Sequence, residues 1–141
     1  MAIEITVKID DAEVNRPKEL EANDDRMYIS SYARFFNEDC SGWSKDPEAN
    51  KFFLLAQQNY ANMLLKQRGH LFLNEVYDML GLPRSKAGQV VGWIYDTCNP
   101  VGDNFVDFGL YDKCNEDFIN GFEKSTLLDF NIDGVILDRI Q

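Results

Sequence analysis

A chain of 141 residues that is 45% hydrophobic and 13% aromatic is large enough to bury one core without disulfides or metals, and a formal charge of −10 argues against general affinity for nucleic acid. No apolar run approaches the roughly 20 residues of a membrane-spanning helix, and the opening MAIEITVKIDD lacks the basic start and apolar block of a signal peptide. The expectation is therefore a protein of the cytoplasm of the cell that makes it, with no membrane role and Cys40, Cys98 and Cys114 as reduced thiols.

One α+β domain is expected over residues 1–141, with an antiparallel sheet of about five strands packed on two to three helices. Its acidic N-terminal part, residues 1–45, opens on a strand in which Ile3, Ile5, Val7 and Ile9 alternate with polar residues. A polar loop with Pro17 follows, and then Tyr28, Ile29, Tyr32, Phe35 and Phe36 at helical spacing predict a short helix from about Asp25 to Asn37.

Residues 46–82 read as a helical hairpin. Asp46 is an N-cap, Pro47 takes the first helical position, and Lys66, Arg68 and Gly69 end the helix. Its expected core stripe is Phe52, Phe53, Ala56, Tyr60, Met63 and Leu64. Leu73, Val76, Tyr77 and Leu80 mark a second helix, stopped by Gly81 and Pro83.

Residues 88–141 are β-rich in texture: VVGWIYD, NFVDFGLYD, TLLDFNID and GVILDRI each suggest a strand, separated by turn material that includes the stretch from Lys113 to Glu123. Asp129, Asn131, Asp133, Gly134 and Ile136 match the opening of a calcium-binding EF-hand loop, which takes oxygen ligands at alternate positions and a glycine at the sixth. Position 12, where the bidentate glutamate belongs, is Ile140. Asp129, Asn131 and Asp133 therefore read as the outward face of a strand, and Asp133–Gly134 as the turn of a terminal hairpin from Thr126 to Ile140 rather than a metal site. In that hairpin Leu128, Phe130 and Ile132, with Val135, Leu137 and Ile140 opposite, form a buried face that is also a place for self-association or partner contact.

Motifs of chemistry are sparse. GxSxG, HExxH and the phosphate-binding GxxxxGKS/T do not occur, so no catalytic residue, metal or cofactor is implied. His70 reads as a capping or surface residue. Leu73 to Trp93 imitates a helix-turn-helix, but Tyr77 stands where a small residue is needed and Gly88 and Gly92 would weaken the second helix. Asp96, Asp103, Asp107 and Asp112 lie near adjacent expected strands, where carboxylates converge only if the fold brings them together. The loop PRSKAG, with Arg84, Ser85 and Lys86, supplies donors for a small anion or a partner contact.

HLFLNEVYDMLGLPRSKAGQVVGW, followed by VGDNFVDFGLYD and LLDFNIDGV, resembles a family of uncharacterised proteins encoded by phages and prophages of Gram-positive bacteria. The likeness covers the chain from Asp46 onward and implies a genomic origin, not a chemistry. Together these readings point to a phage-type, non-enzymatic protein that acts through protein–protein contacts, as a virion component or assembly factor made in the host cytoplasm. Two alternatives stay open: an acidic inhibitor of a host nucleic-acid-binding or defence protein, and an enzyme acting on a small anion at PRSKAG.

Overall fold

The computed structural model describes residues 30–140 and the backbone of Lys18–Glu19 and Tyr28–Ile29. The expected strand at residues 3–9 lies outside the described residues. The described elements confirm an α+β domain, with its strands divided among separate small sheets instead of one.

Two short strands, β1 (Lys18–Glu19) and β2 (Tyr28–Ile29), pair antiparallel. A turn then leads into β3 (Arg34–Phe36), held by the amides of Tyr32, to the Ser30 hydroxyl, and Ala33, to the Ser30 carbonyl, at 3.2 Å each. The helix expected over 25–37 is thus corrected to two strands around a serine turn. Aromatic and β-branched residues at this density suit a pleated strand better than a helix, and exposed Phe35 beside fully buried Phe36 shows the two-residue period.

Helix α1 runs from Pro47 to Arg68 as its caps predict: Asp46 Oδ1 accepts from Glu48 N at 3.0 Å, and Gly69 adopts φ 86°. Its buried face is Asn50, Leu54, Ala61 and Leu65. The expected stripe was placed on the wrong side, since Phe53 and Leu64 are half-buried whereas Phe52, Ala56, Tyr60 and Met63 face solvent. Strand β4 (His70–Phe72) separates α1 from α2 (Leu73–Leu80), so the two helices are joined by a sheet element and not by a turn alone. Glu75 fastens the junction. Its carboxylate accepts both Arg68 guanidinium bonds at 2.8 Å and the Phe72 amide at 3.0 Å. Burial opposes its ionisation, but these bonds prevail and hold its pKa below the ordinary value.

The stretch after Gly81 carries no second recognition-type helix. It forms a single 3₁₀ turn at Ala87–Gln89 and enters strand β5 (Val91–Ile94). β5 is buried throughout and is the centre of a sheet ordered β4-β5-β7, where β7 is Gly134–Val135. Gly92 is required there, because a Cβ would meet the Leu71 carbonyl oxygen at 2.0 Å.

NFVDFGLYD forms no strand and bends at Asn104 and Gly109, both with positive φ. The stretch from Lys113 to Glu123, expected as turn material, folds into a 3₁₀ turn (Lys113–Asn115) and the one-turn helix α3 (Glu116–Ile119). Strand β6 (Thr126–Leu128) pairs with β3, not with β7. The terminal hairpin is therefore absent: Asp133 N bonds to Gly92 O at 2.9 Å, and Gly134 and Val135 register against Gly92 and Val91. The chain crosses from one sheet to the other where a return turn was expected: β5 has a second edge free to take it, whereas β6, paired with β3, has its Leu127 amide and carbonyl bonded to Asn115. Phe130 is buried as foreseen, while Val135 and Leu137 are exposed and Ile136, left out of the expected face, is fully buried.

The core joins Leu54, Leu65, Tyr77, Trp93, Phe108, Phe118 and Phe130 with their neighbours. Tyr77 lies at its middle, donating to the Tyr32 carbonyl at 2.8 Å, under the Arg34 guanidinium at 5.2 Å and edge-on to Phe130 at 5.8 Å. Among the described residues no helix is long and apolar enough to cross a membrane.

Candidate functional site

In the PRSKAG loop, Arg84 is bound to Asp78 through two short bonds of 2.6 and 2.9 Å, which hold the Asp78 carboxyl below its ordinary range. Ser85 is clasped by Asn74, whose Oδ1 accepts the Ser85 amide and whose Nδ2 donates to the Ser85 carbonyl, both at 2.9 Å. The Gly88 amide donates to Ser85 Oγ at 2.9 Å. Arg84 and Ser85, considered as donors for an anion, are thus engaged by side chains of α2, and Lys86, the loop's other cation, makes no ion pair among the described residues.

The carboxylates do not act as one group. Asp133 accepts from Ile94 N at 2.8 Å, Asp96 accepts from Cys98 N and Asn99 N at 3.0 Å each, and Asp103 accepts from Asn131 at 3.0 Å. Asp107, Asp112 and Asp129 approach one another around Gly109. Burial raises the pKa of Asp112 and Asp129, and each has a neighbouring carboxylate that raises it further. Asp129 also accepts from Ser30 Oγ at 3.0 Å. No group of three or more metal-ligating side chains is assembled among the described residues. His70 sits in β4, edge-on to Phe72 at 5.6 Å.

Asn131, read as an outward strand residue, is instead a structural hub. Its Oδ1 accepts from Trp93 Nε1 at 2.9 Å and Asp107 N at 2.7 Å, and its Nδ2 donates to Asp103 Oδ2 and Phe105 O, both at 3.0 Å. All four of its hydrogen-bonding positions are filled.

The feature that sequence periodicity misassigned is the solvent face of α1. No residue from Phe52 to Leu65 is charged, and along this helix Phe52 (59% exposed), Ala56, Asn59, Tyr60 (47%) and Met63 (46%) stand in solvent. They recur at intervals of three and four, one stripe spanning about 16 Å from Phe52 to Met63. A solvent-facing helix ordinarily carries charge on that side, and this one carries none between Phe52 and Leu65. The same spacing was legible in the sequence. What concealed its meaning is that α1 is apolar on two faces, and the buried one contains the polar Asn50. That residue clasps Ser44 and also donates to the Lys124 carbonyl at 3.1 Å.

A hollow between β3 and the Gly81 turn, of about 520 Å³, is lined by Arg34, Phe35, Asp39, Cys40 and Leu82.

No curated protein and no solved structure matches the chain. Residues 2–140 match the family of unknown function DUF6353, and the chain belongs to that family.

Proposed function

We propose that the protein works without catalysis, through protein–protein contacts, as a virion component or assembly factor of a phage. The observation that carries this reading is the uncharged aromatic face of α1, held rigidly by a helix capped at both ends and packed on the core by its opposite side. A preformed helical face of this kind binds without first being ordered, which lowers the entropic cost of association. The resemblance to phage-encoded proteins supplies the setting. The test is mass spectrometry of purified particles and of assembly intermediates from the encoding phage, with and without Tyr60→Glu. The chain should travel with one of these fractions and the variant should be lost from it. Particle yield unchanged by deletion of the gene, with the chain in neither fraction, would refute the reading.

A second reading, an acidic inhibitor of a host nucleic-acid-binding or defence protein, draws on the exposed carboxylates of Asp107 and Asp112, close enough for the charge of Asp107 to oppose the ionisation of Asp112. A charge mimic would bind its basic partner more weakly as salt is raised. Binding through the α1 face would instead be lost on Tyr60→Glu, which leaves a charge mimic's binding unchanged.

A further inference from the structure

We propose that the occupant of the α1 face is a second copy of this chain, lying antiparallel across it about a two-fold axis near Gln57 and Gln58. This deepens the contact function proposed above and rests on it. The first argument is the pattern of the stripe. In a two-fold pair of antiparallel helices residue i meets j′ and j meets i′. An axis between Gln57 and Gln58 sets Phe52 against Met63 of the second copy, and Ala56 against its Asn59. Phe52 and Met63 thus lie at the ends of the contact and Ala56 and Asn59 near the axis, where the helices approach most closely, with Tyr60 set against Leu55 of the second copy.

The second argument is charge, and it locates the same axis independently. The exposed charges flanking the stripe are Glu48 before it and Lys66 after it. They stand about five full turns apart, and so project from the same side of the helix. In an antiparallel pair each flank faces its own counterpart, so Glu48 of one copy meets Lys66 of the other, twice by symmetry. Their midpoint is Gln57. A parallel arrangement would oppose Glu48 to Glu48 and Lys66 to Lys66. Both residues are available for this: among the described residues Lys66 makes no ion pair and Glu48 reaches only Lys51, at 4.0 Å. Arg68, by contrast, is committed to Glu75 at 2.8 Å.

Sedimentation equilibrium or light scattering on the intact chain over a concentration series is the experiment. The expected mass rises toward twice that of one chain, and Tyr60→Glu with Met63→Glu returns it to one chain with circular dichroism unchanged. Glu48→Lys alone and Lys66→Glu alone each weaken association by about tenfold. The double exchange, Glu48→Lys with Lys66→Glu, restores it although both changes disfavour the isolated helix, an outcome that a merely destabilising effect would not give. With Cys98 and Cys114 replaced by serine, Ala56→Cys cross-links to itself and Ala49→Cys does not. A single-chain mass at every concentration overturns the dimer. If the Tyr60→Glu variant then still loses a phage particle or assembly fraction, the contact function stands and only its occupant is wrong. A dimer in which Ala49→Cys cross-links to itself overturns the antiparallel arrangement.

Discussion

From Pro47 to Ile94 the backbone is satisfied mostly by backbone: a 22-residue helix, a second helix and two paired strands. From Asp96 to Asp133 side-chain amides take over that role. Asn104 bonds both the amide and the carbonyl of Asp96, Asn62 does the same for Val106, and Asn115 does it for Leu127 while also holding the Gly109 carbonyl at 2.9 Å. Gln58 accepts from the Phe108 amide at 2.8 Å. An asparagine side chain is a peptide group on a short stem, so it can stand in for a neighbouring strand wherever a segment is extended and no strand is beside it. The comparison teaches that irregular backbone can be buried at little cost when donors and acceptors arrive on side chains.

The severest test joins the two regions. Phe130 lies edge-on to Tyr77 of the first at 5.8 Å and to Phe108 of the second at 5.5 Å. Phe130→Ala should cost about 3 to 5 kcal/mol in denaturant unfolding. A loss under about 1 kcal/mol would mean that the two regions are not packed as one core. Next is Asn115→Ala, which orphans the Leu127 amide and two carbonyls at a buried site and should cost about 2 to 3 kcal/mol. The exposed Asn120→Ala should stay within about 0.5 kcal/mol. Equal effects at the two positions would break the claim that amides carry the second region. In the first region Asp46→Ala, which removes only a cap, should cost about 1 kcal/mol, seen as a modest fall in Tm with no loss of cooperativity.

The smallest effect is electrostatic. The raised pKa of Asp129 means that its ionised form opposes folding at neutral pH, and that this penalty fades as pH falls through its raised folded value toward the ordinary one. Asp129→Asn keeps the acceptor for Ser30 and removes the charge. It should be at least as stable as the parent at pH 7, and the advantage should shrink on acidification. Glu75 has the opposite sign: its contribution is complete above the ordinary glutamate pKa and is lost as pH falls through its lowered value. A Tm–pH profile for Asp129→Asn parallel to the parent's would show that this carboxylate is solvated after all.

The first region was legible because its signals are local. Asp46, Pro47 and Gly69 declare α1 within a few residues of each end, and Gly81 declares the end of α2. The second was not, because each amide meets a partner whose identity depends on the fold: Asn62 and Val106 are 44 positions apart, and Gln58 and Phe108 are 50. Asp133–Gly134 failed for the same reason. The dipeptide is a sound local turn signal, but the Gly92 carbonyl and the edge of β5 compete for it and win. The candidate site was visible as a stripe and misread as core, since periodicity reports that a face is apolar without saying which neighbour covers it.

The asparagine clasps also bear on how the molecule breathes. Amide protons of Val106 and Phe108, in a stretch without helix or strand, and that of Leu127 in β6 are bonded to side chains and not to a backbone ladder that would zip or fray as a unit. Their exchange with solvent deuterium therefore depends on the rotation of single side chains on α1 and beside α3, and not on the unravelling of an element. Slow protons should appear in stretches without regular structure, and they should quicken one at a time as individual clasps let go.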